Sequence, residues 1–305
     1  MSQPEAGPPA SYLPRIRARV LIHAHRRVVG LLDGEYASLH LGRSMDLHDL
    51  REYVRGDEVK DIDWKATARS GQVLVKRFTA TRQHLIVLVV STGRSMAAQA
   101  GPRSTKRDLS VTVSGLLGWL ALRHGDRVSV MYGDAAGCRT APTAETEAAL
   151  DHALSAVHDA ITPTSAEADL AALLRQVTTT LRRRSIVVLV ADDPAIDEGV
   201  AALLHRVALQ HEVMVATIDD LDPTSDPATL GGRPLVEVGQ RIELPDWARR
   251  DRRLAQEYAA LRAAEEERVG RLLDRLGIAH QSIGEEGAVV TGVLRLLHRH
   301  RHAHR

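Results

Sequence analysis

From residue 84 onward the hydrophobic positions change period in a regular way. His84-Leu-Ile-Val-Leu-Val-Val90 is a short, continuous apolar run, the pattern of a strand covered on both faces. A helical period follows over 107–123, and Gly125-Asp126 turns the chain into a second strand at Arg127-Val-Ser-Val-Met-Tyr132. Helical periods over 145–160 and 166–181 lead to the strand Ser185-Ile-Val-Val-Leu-Val-Ala191. A helix over 197–210 and the strand His211 to Ile218 end at Asp219-Asp220. Strands alternating with helices of this length predict an α/β fold built on a doubly wound, mostly parallel sheet.

The flanks read differently. Residues 1–13 form a Pro-rich lead, and an amphipathic helix is expected over 14–32, with Ile16, Val20, Leu21, Val28, Leu31 and Leu32 on its apolar side. A loop-rich stretch then runs to about Ala68, before a strand at Val73 to Phe78, closing an N-terminal segment of 14–83. After the α/β unit of 84–220, residues 221–245 are rich in Pro, Gly and Asp, with a short strand expected at 235–238. A long charged helix over 246–276, stopped by Gly277, precedes a strand at 278–283 and a helix at 288–298, completing a C-terminal extension of 221–297. Residues 298–305 read as a frayed His/Arg-rich tail.

Composition narrows the function classes. The chain has 305 residues, 44% hydrophobic and 26% charged, enough for a substantial core. Its net charge of +1 supplies no global field for nucleic acid or a membrane, and 3% aromatic content leaves few stacking platforms for single strands. A lone cysteine, Cys138, excludes an internal disulfide and fits a reducing compartment. No apolar run reaches membrane-spanning length, and the N-terminus has no signal-peptide pattern. The expectation is a cytoplasmic protein with neither membrane nor nucleic-acid partners.

The segment from Arg51 to Arg69 is dense in charge. With Arg51, Tyr53, Gly56, Asp57, Ile62, Asp63, Trp64, Ala68 and Arg69, followed by the strand and Ser95-Met96, the chain resembles the domain of unknown function 58 family. That resemblance covers about 16–218 and implies a von Willebrand factor type A (vWA) domain. In such domains a first loop reads Asp-x-Ser-x-Ser, a second loop adds a Thr and a later strand end adds an Asp. Together they form a metal-ion-dependent adhesion site (MIDAS), whose divalent ion, usually Mg²⁺, captures an acidic group of a partner. Here Ser91 stands at the Asp position, Gly93 at the first Ser position and Ala168 at the Thr position, while Ser95 and Asp192 keep the pattern. Since Mg²⁺ demands hard oxygen ligands in octahedral geometry, Ser91, Ser95 and Asp192 leave room for at most a weak site. The expectation is therefore a degenerate loop without metal or other cofactor, its hydroxyls capping the following helix.

Other chemistry-bearing residues have bland readings. Asp57, Asp61 and Asp63 lie among Arg51, Arg55, Lys60, Lys65 and Arg69, which predicts ion pairing on a loop, and their spacing matches no calcium loop. Trp64 reads as an anchor packed against the sheet. Cys138 has no neighbouring His, and no phosphate-binding Gly loop or nucleophile elbow occurs. His298, His300, His302 and His304 offer imidazoles for a transition metal, although a solvated basic end explains them more simply.

Function follows from the resemblance more than from any motif. It implies a non-enzymatic interaction module, an adaptor or co-chaperone working beside a MoxR-type AAA+ ATPase through the face bearing Ser91 to Ser95 and Asp192, supported or extended by the Arg51 to Arg69 segment. The alternative is a metal-dependent hydrolase using Asp192, Asp193, Asp219 and Asp220.

Overall fold

The structure, a computed structural model, describes residues 11–23, 26–41, 49–54, 62–77, 83–192, 195–225, 234–239 and 242–303. In chain order, α1 (Leu13–His23) and α2 (Arg26–Leu41) precede β1 (Asp49–Glu52), α3 (Trp64–Ser70) and β2 (Leu74–Arg77). Then come β3 (Leu85–Ser91), β4 (Gln99–Gly101), β5 (Ser104–Thr105), α4 (Lys106–Arg123), β6 (Arg127–Asp134) and β7 (Gly137–Thr140). Next are α5 (Glu147–Ala160), α6 (Leu170–Thr180), β8 (Ile186–Ala191), α7 (Glu198–Ala208) and β9 (Glu212–Ile218). The last are β10 (Leu235–Val236), β11 (Glu243–Leu244), α8 (Asp246–Arg250), α9 (Arg252–Arg275), β12 (Ala279–Ile283) and α10 (Val289–Ala303).

One six-stranded sheet has the order β12-β9-β8-β3-β6-β7. All neighbours are parallel except the β6–β7 edge pair. The chain goes from β3 outward to β6, then crosses to β8 on the other side of β3 and continues to β9 and β12. This is a doubly wound α/β sheet with its switch point between β3 and β8, as the period changes in the sequence predict. The continuous apolar runs are the central strands. Val87 to Val90 and Val187 to Val190 are fully buried because helices cover both faces. On one face β3, β6 and β9 side chains pack with α1, α2, α4, α5 and α10, and on the other with α6, α7 and α9.

The unit does not stop at the predicted limits of 84 and 220. Tyr12, Leu13 and Ile16 of the N-terminal region, with Leu32 and Tyr36, belong to the first core cluster. Asp151 on α5 accepts from the amides of Tyr12 and Leu13 at 2.7 and 2.8 Å, fixing the start of α1. β12 extends the sheet beside β9, and α10 covers it through Val289, Val293, Leu296 and Leu297. A sheet edge with one apolar face needs that cover, so the C-terminal elements are part of the domain.

Several element boundaries are set by side chains that helical period does not reveal. Asp251 caps α9, accepting from the amides of Arg253 and Leu254, and so divides the expected 246–276 helix into α8 and α9. The helix expected over 14–32 is helical over Leu13–His23 and over Arg26–Leu41, which carries it past the expected end. The tail is no frayed end as far as Ala303. His300 is buried on α10 with Nε2 at 3.2 Å from Glu212, Arg301 pairs with Glu35 at 3.2 Å, and the His298 and His302 rings meet edge to face. His304 lies outside the described residues.

His211, buried at the start of β9, accepts through Nδ1 from the Ser185 amide at 3.3 Å. Burial first, and Arg184 second, lower its pKa. The folded protein thus binds this proton less readily than the unfolded chain, whose His titrates near 6.5, so the stability contribution is present above that pH and lost as pH falls. Unfolding titrations at pH 7.5 and 5.5 are expected to show a smaller stability loss on acidification in His211→Asn than in wild type. Equal losses would remove His211 from the account.

Candidate functional site

In a sheet wound this way, ligands gather where the carboxyl ends of the strands diverge at the switch point. Here that place is bounded by Ser91 at the end of β3, Asp192 just after β8, and Asp219-Asp220 just after β9. Parallel register puts Val90 opposite Val190, so Ser91 and Asp192 leave the sheet side by side. Asp193 lies outside the described residues.

The first loop is shaped by close packing against the second. Arg94 donates its amide to the Ala166 carbonyl at 2.9 Å, and its guanidinium pairs with Glu167. A Cβ on Gly93 would lie 2.6 and 2.7 Å from the Ala168 amide nitrogen and Cα, and 2.9 Å from its Cβ. Gly93 and Ala168 thus meet backbone to backbone, and neither supplies an oxygen from its side chain. Asp169 caps α6, its carboxylate accepting from the Ala172 amide at 2.8 Å. After Gly93 the chain makes a 3-10 turn, Arg94–Ala97, in which Ser95 is half-buried.

The following helix, α4, begins only after the β4–β5 hairpin. Its cap is Thr105, which exchanges hydrogen bonds with Asp108 in a capping box. The expectation that the loop hydroxyls cap this helix is therefore corrected: the hairpin separates them from it. Ser91 Oγ is buried, with residue exposure of 0%, and has no hydrogen-bond partner.

The first residue of α4 dominates the electrostatics. Lys106 is 0% exposed, and its Nζ lies 2.7 Å from Asp220 Oδ1 and 3.3 Å from Asp192 Oδ2. Asp192 is 5% exposed, and its other oxygen, Oδ1, has no hydrogen-bond partner. A second cation, Arg262 of α9, reaches Asp219 at 3.6 Å and Asp220 at 4.0 Å, and Ser282 of β12 donates to Asp219. The ammonium and Asp192 need each other. Removing one member of such a buried pair costs about 3–5 kcal/mol because the other charge stays desolvated.

These residues do not fit the divalent ion that the vWA resemblance implies. Positions 91, 93 and 168 contribute no carboxylate and at most one hydroxyl. The surviving carboxylate already holds a buried cation, and Mg²⁺ at its usual 2.0–2.1 Å from the oxygens would sit against that ammonium. No group of three or more His, Cys, Asp or Glu placed to hold a metal occurs among the described residues.

Lys106 and Arg262 are absent from the sequence reading. One signal for Lys106 exists: only four of the 40 Lys and Arg residues are lysines, and this one stands beside Ser104-Thr105 at a helix start. A flexible stem and a compact head let lysine reach two carboxylates where arginine's planar fork demands more room.

The Arg51 to Arg69 segment builds a small unit of its own. Arg51 lies on β1 opposite Val75 of β2, and the Tyr53 amide donates to the Val73 carbonyl at 2.8 Å. Asp63 caps α3, accepting from the amides of Lys65 and Ala66 at 3.0 Å. Trp64 is not a packing anchor, being 63% exposed on the first turn of α3, and Arg69 is exposed on its last. Gly56, Asp57 and Asp61 lie outside the described residues. Cys138, on the edge strand β7, has its thiol pKa raised, by burial first and by Asp169 and Asp134 next, opposite to what a nucleophile requires.

The Gly93 contact makes a direct prediction. Gly93→Ala and Gly93→Ser should each destabilise by about 1–3 kcal/mol in chemical denaturation, since the added Cβ, not the hydroxyl, meets the Ala168 backbone. A neutral Gly93→Ala would show that the two loops do not pack this closely.

Two curated relatives, the uncharacterised proteins Mb1516 of Mycobacterium bovis and Rv1480 of Mycobacterium tuberculosis, are each 26% identical over 200 residues. The match covers 65% of this chain and 62% of theirs, so the chain spans less than two thirds of the length of these relatives. Among solved structures, the conserved hypothetical protein BatB of Bacteroides thetaiotaomicron aligns at 12% identity and a TM-score of 0.44, over 71% of this chain and 98% of its own. A von Willebrand factor type A protein of Catenulispora acidiphila aligns at 13% identity and a TM-score of 0.39, over 72% of this chain and 42% of its own. Alignments this loose add nothing to the strand order described above. The sequence itself matches the family described as Protein of unknown function DUF58 over residues 49–268, most of its length, and the chain belongs to that family.

Proposed function

We propose that this chain is a vWA-like protein-interaction module that performs no catalysis and binds its partner without a bridging metal. The observation that carries this reading is a groove of about 770 Å³ beside the closed polar cluster. It runs from Ser95 and Asp220 to the β10–β11 hairpin, with Leu221, Leu235, Leu244 and Tyr258 among its walls. Val236 and Ile242 are 48% and 61% exposed, and apolar side chains gathered this openly mark binding surfaces. Among the described residues, the charged side chains lining the groove are Asp220, Glu237 and Glu243, and Asp220 is already paired with Lys106 and Arg262. The exposed apolar walls therefore suit an apolar segment of a partner protein.

On the family resemblance, that partner is a MoxR-type AAA+ ATPase, and the chain is its cytoplasmic adaptor or co-chaperone. No helix among the described residues is long and apolar enough to cross a membrane. Against the hydrolase alternative stands the burial of Asp192 under Lys106. A general base must reach its substrate, and this carboxylate faces an ammonium instead.

Affinity purification of the tagged chain from its native host, scored for a MoxR-type ATPase, tests the reading. Ile242→Asp and Val236→Asp should reduce recovery about tenfold or more, as expected for a buried apolar contact of at least about 1.4 kcal/mol, with thermal stability unchanged. Absence of such an ATPase from the wild-type sample would contradict the proposal.

A further inference from the structure

We infer that Lys106 is the resident cation of the strand-end site, and that its ammonium takes the place of a divalent ion between Asp192 and Asp220. The inference rests on the metal-free part of the proposed function and is independent of which protein fills the groove. Three observations meet at one point. The Lys106 head is completely buried and touches one carboxylate from β8 and one from β9. Two buried oxygens at the same strand ends, Ser91 Oγ and Asp192 Oδ1, have no hydrogen-bond partner among the described residues. Buried polar atoms are rarely left so, and a hydroxyl and a carboxylate oxygen both suit a hard cation. The loop that would complete a metal's shell is closed by the Gly93–Ala168 contact.

The arrangement is a tether across the switch point. Lys106 opens α4, Asp192 follows β8 and Asp220 follows β9, so one ammonium joins three segments whose strands diverge here. A positive charge at a helix N-terminus opposes the helix dipole, so the two carboxylates must more than offset that cost. A divalent ion would hold the same segments only while bound, whereas lysine holds them in every state of the protein. The site is thereby fixed, and it offers no open coordination position to an acidic group of a partner. Removing the ammonium should uncover what it replaces: a buried Asp192, a nearby Asp220 and a Ser91 hydroxyl, open to a small divalent cation.

Thermal unfolding of the full chain in EDTA and in MnCl₂ or MgCl₂ tests this. Wild type is expected to unfold at the same temperature in both. Lys106→Ala should unfold at lower temperature in EDTA and gain about 2 °C in Mn²⁺ present at ten times its apparent Kd. That gain should vanish in Lys106→Ala/Asp192→Asn. Should Lys106→Ala not fold, Lys106→Gln carries the same comparison.

Amine acylation of the native wild type gives a readout that needs no variant. Lys106 should resist modification while the exposed Lys65 reacts, with or without Mn²⁺. A wild-type Mn²⁺ response abolished by Asp192→Asn, or labelling of Lys106 once Mn²⁺ is added, would overturn the inference by showing that metal displaces the lysine. A folded Lys106→Ala with no metal response would overturn it equally. None of these readouts depends on recovering a partner, so this inference and the docking proposal fail separately.

Discussion

The parallel pairing of β3 with β8 is the constraint on which the rest depends. Both strands are continuous apolar runs, and both are buried because the sheet is wound outward in each direction from between them. That choice places the end of β3, the end of β8 and the start of α4 at one point. Polar residues there inherit a nearly dry setting, and burying an isolated carboxylate in it is costly. Asp192 is therefore tenable only with a cation against it, and the chain supplies that cation from the first residue of the next helix.

Seen this way, the substitutions at the loop form a consistent set. Ser91 stands where the vWA pattern has a carboxylate, and Lys106 brings one positive charge against Asp192. Gly93 lets the first and second loops close to backbone contact at Ala168, which any Cβ at position 93 would oppose. Lys106 then meets Asp192 and Asp220, while Arg262 shares the load of Asp219 and Asp220. The exposed apolar area beside this cluster, at Val236 and Ile242, is the more open surface.

Much of the fold was legible because burial writes itself into period. The runs at 84–90 and 185–191 announce two-sided burial, and the helical spacing between them leaves few topologies other than βαβ winding. What stayed hidden depends on contacts distant in sequence. Lys106 is separated from Asp192 by 86 positions and from Asp220 by 114, and nothing local marks a lysine at a helix start as buried. Trp64 misled in the other direction: a lone Trp in a charged stretch suggests an anchor, yet it stands exposed on a short helix capped by Asp63. The α8–α9 break and the ordered His/Arg end of α10 likewise follow from single side-chain contacts, Asp251 with two amides and His300 with Glu212.

The central claim is that a lysine, not a metal, fills the strand-end site. Its most direct test is anomalous diffraction from crystals of the wild-type protein grown in millimolar Mn²⁺. The account predicts continuous side-chain density for Lys106 ending between Asp192 and Asp220, with no anomalous peak there. A manganese peak bridging those two carboxylates, with the lysine side chain displaced, would contradict it.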